Sequence, residues 1–389
     1  MTALPSVYIY GMPIQAIDDS IYGGLFGNAT RSVGLAFNLQ KRGHEVFLEV
    51  DDAFENKITT VAAESQPIFV HERDRKQVLP KVDVLLMSCT NFDSFRMMFY
   101  RDPYLHHPKK VYACCFDYNQ NTNFDKLKLG RSVITFNNEI QKKNWDRKQT
   151  GIDAHVIPYG VNEGQSIDDA IQDVAKEDVI WLGEIRRHDV LERLVKFAKI
   201  NQDARLNIVA RAIFDAGIEA GAYGSRENPY GEFTTRDGPE KFNEILREIC
   251  DTDTPKNATF LGPMEGLNHE VLGAHSIGLD FSRFPGQDHD NTKIMDYLRS
   301  GVCVICDEGT PSYRFVKETG YGVIVSPDFS DDEIREAFQT CREMVSLENR
   351  KRVSQMMCDL HGWGTRAQQY SELISQVAQP SKKWWQIFK

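Results

Sequence analysis

Asp288 and Asp296 stand eight residues apart in the segment FPGQDHDNTKIMDYLRSG, with Lys293 between them. They flank a helix start, and Asp296 falls in the first turn or two, aimed into the space beyond the helix end. A carboxylate so placed accepts the two hydroxyls of a ribose. Lys293 supplies positive charge where a departing diphosphate would gather negative charge. The plain alternative is a solvated helix face of mixed charge. Asp288, His289 and Asp290 could together attract Mg²⁺ or Mn²⁺, but no metal site is expected.

Three other segments have anion-binding chemistry. YGGLFGNATRS (22–32) places Gly23, Gly24 and Gly27 before a helix that Asn28 or Thr30 could cap. Glycines let backbone N–H groups approach a phosphate, and a helix N-terminus favours an anion. The segment has neither GxGxxG nor the P-loop lysine, so a plain flexible loop fits it equally. GEIRRHD (183–189) puts Arg186 and Arg187 just before a helix, either to grip a diphosphate bidentately or as an exposed basic turn. DEGT (307–310) leads into a helix with Pro311 at its first turn, leaving the N–H groups of Gly309 and Thr310 for an anion.

Cys303 and Cys306 form a CxxC inside an apolar run. At strand period they point to opposite faces and cannot grip one zinc ion. A buried, reduced strand is expected, and eight cysteines in 389 residues do not suggest a disulfide framework.

The elements that position these residues alternate. Apolar runs at 6–10, 45–50, 82–88 and 110–116 read as strands, and 28–42 reads as a helix ended by Gly43. Strands without polar alternation argue for a parallel sheet covered on both faces. A pause over 159–177 reads as a linker plus a surface helix. The pattern then restarts with strands at 178–182, 205–210, 258–261, 277–281, 302–306 and 322–325, and a helix at 188–200. Two doubly wound parallel sheets follow, and ligands in such folds bind at the carboxyl ends of the strands. Residues 212–237, rich in Gly, Tyr and Asn, fit neither pattern; a loop that long is either functional or disordered.

The 389 residues make two domains, or three, at roughly 100–200 residues each. Hydrophobic residues at 41% and charged residues at 26% describe an ordinary globular chain. No apolar run approaches a membrane span, and no secretory signal pattern opens the chain, so a soluble, cytosolic protein is expected. The net charge of -10 disfavours wholesale nucleic-acid binding. Residues 96–148 nevertheless hold 11 Lys/Arg against 5 Asp/Glu. That stretch could face an anionic acceptor or a lipid headgroup layer, or be a solvated face. The terminal SKKWWQIFK either lies in a membrane interface or packs back as a last helix.

Six segments occur in a telling order: RGHEV (42–46), VITFNNEIQKKNW before HVIPYGVN (155–162), WLGEIRR, ATFLGPM (258–264), TKIMDYLRSGVCVICDEGTPSY and HGWGTRAQQYSELI (361–374). Together they resemble the GT-B-fold glycosyltransferases, nearest to glycosyltransferase family 4 and its relatives. The resemblance implies an α/β chain of two Rossmann-like parallel-sheet domains with a cleft between them. Residues 1–164 would take the acceptor and 165–362 the nucleotide-sugar donor, with 363–389 a helix crossing back. It implies transfer of a sugar from a nucleoside-diphosphate sugar, with no other cofactor and no required metal. The family's E-x7-E pair maps onto Asp288 and Asp296, each one carbon shorter. Glu184 stands where the family has an arginine, so Arg186 or Arg187 would substitute, aided by Lys293. Donor contacts would include Gly23, Gly24, Arg186, Arg187, Lys293, Asp296, Gly309 and Thr310; Asp117, Asp288 and Lys293 would be catalytic. An inverting enzyme would use Asp117 as its base, with His106 and His107 next; a retaining one needs none. The acceptor could be a glycan, a lipid-linked glycan or another molecule, anionic or membrane-associated. Other readings are a sugar-nucleotide epimerase of the same fold, a non-catalytic nucleotide-binding protein, and a transferase acting on modified DNA.

Overall fold

Apolar stretches form strands and the amphipathic stretches between them form helices in a computed structural model. It describes residues 3–14, 28–50, 66–71, 81–91, 107–117, 131–146, 152–163, 171–184, 188–211, 256–262, 269–281 and 290–379. The first unit runs β1 (Val7–Ile14), α1 (Asn28–Lys41), β2 (Val46–Val50), β3 (Ile68–His71), β4 (Val84–Asn91), β5 (Lys109–Asp117), β6 (Arg131–Phe136), α2 (Glu139–Asp146) and β7 (Asp153–Val156). The second runs β8 (Asp178–Glu184), α3 (His188–Ile200), β9 (Arg205–Arg211), β10 (Ala258–Gly262), α4 (His269–Gly273), β11 (Ile277–Asp280), α5 (Thr292–Arg299), β12 (Cys303–Asp307), α6 (Tyr313–Thr319) and β13 (Gly322–Val325). Three helices follow: α7 (Asp331–Met344), α8 (Leu347–His361) and α9 (Trp363–Ala378).

The strands make two sheets, ordered β3-β2-β1-β4-β5-β6-β7 and β10-β9-β8-β11-β12-β13. Among the described residues every pairing is parallel. Each sheet has one switch point, between β1 and β4 in the first and between β8 and β11 in the second, where successive strands begin to be added on the opposite side. Crevices open at such points, outside the carboxyl ends of the strands.

The apolar runs are buried as a two-faced parallel sheet requires: Val7, Leu48, Val84, Ile180, Leu279 and Ile305 are at most 1% exposed. Gly43 ends α1 with φ +96°, as the sequence implies. Strand β3 was not evident from sequence, because it is a four-residue edge strand with Ile68 half exposed. The acidic run around Asp168 and Asp169, where a surface helix was expected, lies outside the described residues; 171–177 is irregular and ends in a turn, with Ile171 buried. Pro311 lies before α6 rather than in its first turn.

The chain leaves the first sheet through 157–163 and returns at Gly362, and the two crossings are bonded side by side. Val161 N–H donates to His361 O at 2.8 Å, and Trp363 N–H donates to Val161 O at 3.2 Å. The Trp363 indole is 1% exposed and lies against Gly34 and Gly160, where an added Cβ would stand 2.4 and 2.5 Å from the ring. Helix α9 then packs on the first sheet. Tyr370 Oη bonds Thr135 Oγ1 at 2.8 Å, and Ser371 Oγ bonds His44 Nε2 at 2.7 Å.

Two residues of the basic stretch finish this helix. Lys109 Nζ donates to Ala378 O at 2.6 Å and Arg131 to Gln379 O at 3.0 Å, where cations suit the negative end of the helix dipole. Lys110 is buried, and burial pulls its ammonium down to about 8. These three lysine and arginine side chains are thus built into the fold. The tail 380–389 and the segment 212–237 lie outside the described residues. Among the described residues no helix is long and apolar enough to cross a membrane.

Candidate functional site

In the second sheet, β8 and β11 pair only as far as Ile180 and Gly278. The N–H of Leu182, beyond the paired stretch, donates to the Tyr297 hydroxyl at 2.7 Å. Tyr297 reaches there because residue 278 is glycine; a Cβ would meet its ring at 2.6 Å. The buried tyrosine of α5 thus satisfies the backbone where the two strands part, and burial raises its hydroxyl pKa well above the usual range.

Helix α5 starts over this opening. Asn291 caps it, its Oδ1 accepting from Lys293 N–H at 3.1 Å. Asn291 Nδ2 donates to both oxygens of Asp280 at 3.0 Å each. The Lys293 ammonium lies 3.2 Å from Asp280 Oδ1 and 4.4 Å from the ring centroid of Trp181, a cation–π distance. Trp181 and Gly183 share one face of β8, and a Cβ at Gly183 would come within 3.1 Å of the ammonium. Asp296 follows Lys293 by one helical turn, on the same side of α5. No described residue bonds its carboxyl group. Its side chain keeps some solvent contact but is crowded by protein, and that burial pushes its pKa up to about 8. A carboxyl so raised favours its protonated form at neutral pH.

The neighbouring strand end is also acidic. Asp307 closes β12 and pairs with Arg193 at 2.5 Å, while its other oxygen accepts from Gly309 N–H at 2.7 Å. Burial raises the Asp307 pKa, and Arg193 opposes the rise. The Gly309 N–H is thus committed within its own loop and is not open to an anion as the sequence reading supposed. Thr310 is buried beside it. Cys303 and Cys306 are both buried, with free thiols, and burial lifts that of Cys306 well above its usual range.

One polar chain joins the two sheets. Arg314 forks onto Asp290, one arm at 2.6 Å, and also donates to Asn137 O at 3.2 Å. Asn137 Oδ1 accepts from Arg31 in α1 at 3.2 Å, and Arg31 also donates to Ala113 O at 3.3 Å. Asp290 is buried and committed to this ion pair, while Asp288 and His289 lie outside the described residues.

The other sequence candidates divide in two. Gly23, Gly24, Arg186, Arg187, Asp288 and His106 lie outside the described residues. Asp117 ends β5 at the carboxyl edge of the first sheet, paired in register with Asn91. His107 is at the opposite edge, its ring nitrogens against Lys109 O at 2.8 Å and Val82 O at 3.1 Å. A base there is remote from the carboxyl-edge crevice, so His107 is withdrawn as a candidate. Sequence reasoning missed Asp280, Asn291, Trp181, Arg193 and Arg314. Asp280 did leave a signal, an acidic residue ending an otherwise apolar strand; the partners of Arg314 are 24 and 177 residues away and left none.

No protein-family profile matches the chain, and no curated protein matches it. Solved structures do. AviGT4, a glycosyltransferase involved in avilamycin A biosynthesis, is 17% identical, with 96% of this chain and 98% of that one covered at a TM-score of 0.61. The catalytic domain of starch synthase IV from Arabidopsis thaliana, bound to ADP and acarbose, is 11% identical, with 97% and 100% covered at 0.59. Anabaena HepE in complex with UDP and glucose is 12% identical, with 96% and 100% covered at 0.56. The fold is GT-B. Within it, the crevice headed by Lys293 and Asp296 belongs to the C-terminal Rossmann-like domain, and α9 is the helix that returns to the N-terminal one.

Proposed function

We propose that this chain is a glycosyltransferase that moves a sugar from a nucleoside-diphosphate sugar to an acceptor held by the N-terminal domain. The observation that carries the reading is the pair Lys293 and Asp296, one turn apart at the head of α5, over the switch point of the C-terminal sheet in a GT-B frame. Solved neighbours of this fold bind UDP with glucose, and ADP. In this reading residues 1–164 take the acceptor and 165–362 the donor.

Each residue has a role set by its surroundings. Lys293 stabilises the charge that grows on the diphosphate as the bond to the sugar breaks. Asp296 takes the ribose hydroxyls, and two donated hydrogen bonds favour its ionised form, so binding draws a proton off it. Arg186 or Arg187 assists on the diphosphate, and Asp288 lies on the sugar side. Asp117, at the carboxyl edge of the N-terminal sheet, is the candidate base if the reaction inverts. Because Lys293 and arginine supply the positive charge, turnover is expected to survive a chelator.

The test is binding and turnover with the full chain. UDP, GDP, ADP, CMP and dTDP are titrated while the melting temperature is followed, since a ligand of the native state raises it by mass action. Radiolabelled sugar nucleotides are then offered with and without candidate glycan acceptors. Lys293→Ala and Asp296→Ala should each cut turnover sharply and leave the circular dichroism unchanged; wild-type rates in both would sink the assignment. Conversion of the sugar nucleotide to an isomer without acceptor would mark an epimerase instead.

A further inference from the structure

Asp280 is the last residue of β11, and only 1% of its surface is exposed. Both its oxygens hold Asn291, and Oδ1 also meets the Lys293 ammonium. Asn291 in turn fixes the Lys293 backbone through the cap. One buried carboxylate therefore restrains Lys293 twice, at the main chain through Asn291 and at the charged tip directly. The Lys293 side chain is only 12% exposed, with Trp181 beneath the ammonium and the bare Gly183 backbone beside it.

This geometry has an electrostatic consequence. A buried carboxylate needs a counter-ion, and removing one partner leaves the other uncompensated. A diphosphate entering the crevice needs the same ammonium. The two anions repel each other and share one cation, so each weakens the other's hold.

We propose that Asp280 is a positioning residue of the donor site: it parks the Lys293 ammonium beside the β8/β11 crevice and competes for it with a bound diphosphate. The competition limits how tightly the departing nucleoside diphosphate is held and so speeds its release. This inference rests on the donor reading of the site.

Asp280→Asn tests it, because the amide keeps an acceptor for Asn291 and nearly the same shape while removing the charge. UDP and ADP should bind the variant about tenfold more tightly, or about 1.4 kcal/mol, with kcat and donor KM both lowered. A purely structural role would instead weaken binding. A second readout needs no nucleotide: acylation of Lys293 by an N-hydroxysuccinimide ester, followed by peptide mass spectrometry. The variant should label several-fold faster, and inorganic pyrophosphate should protect Lys293 better than in wild type. Equal labelling with equal or weaker nucleotide binding overturns the proposal while the donor reading stands. If wild type binds no nucleotide, the donor reading falls and this proposal, which rests on it, falls with it. Asp280→Ser replaces the asparagine variant if the latter does not fold.

Discussion

Replacing Asp296 by asparagine should flatten part of the dependence of stability on pH. Burial raises the Asp296 carboxyl from 3.8 to about 8. Between those values the folded chain keeps the proton and the unfolded chain does not, so protonation favours the folded state. The stability this contributes is fully present below about pH 4, falls as pH rises, and is gone above about pH 8. Each pH unit inside the window is worth about 1.4 kcal/mol. From about pH 5 to about pH 8 the ceiling is about 4 kcal/mol, and the remaining solvent contact of Asp296 reduces it to about 2 kcal/mol. The side-chain amide of Asp296→Asn has no proton to lose in this range, so the variant would lack this slope. The assay is urea unfolding of both proteins at matched pH values, read as the difference between them so that other titrating groups cancel. The wild type should lose about 2 kcal/mol relative to the variant across the window. Parallel curves would refute the crowded, proton-holding environment assigned to Asp296.

The site also predicts that nucleotide affinity rises with pH from about 6 to about 8, as Asp296 ionises more readily, and that Asp296→Asn loses this dependence; calorimetry in two buffers of different ionisation enthalpy would count the released proton. Trp363→Ala should destabilise the chain by about 3–5 kcal/mol, because the indole fills the space left by Gly34 and Gly160 where the crossings meet, and the urea midpoint checks this. Arg314→Met should loosen the link between Asp290 and Asn137, seen as a larger radius of gyration in X-ray scattering, while each domain stays folded. His361 donates from Nε2 to Glu318 and receives Arg366 at Nδ1, and burial lowers its pKa, so its contribution is full above about pH 6.5 and lost as pH falls below that. His361→Gln should reduce the acid-side loss of the urea midpoint, and an unchanged acid limb would refute it.

Much of this protein was written in the order of its residues. Apolar runs without polar alternation demand cover on both faces, so the parallel sheets were legible, and Gly43 marked the end of α1 by the φ it must adopt. Asp288, Lys293 and Asp296 could be placed around a helix start by their spacing alone; the structure added that Asn291 caps that helix and that Lys293 and Asp296 stand one turn apart on it. Tertiary structure decided what surrounds them. That Lys293 rests on Asp280 and Trp181 depends on three separate elements meeting at one switch point. That Asp296 holds a proton near neutral pH depends on how much protein crowds it, which no spacing records. The basic stretch shows the same division. Its charge was plain in sequence, but only the packing of α9 revealed that Lys109 and Arg131 finish a helix. Local geometry is periodic along the chain and can be counted there. Burial, and the electrostatics that follow from it, is set by segments far apart in sequence, so it exists only once they have packed.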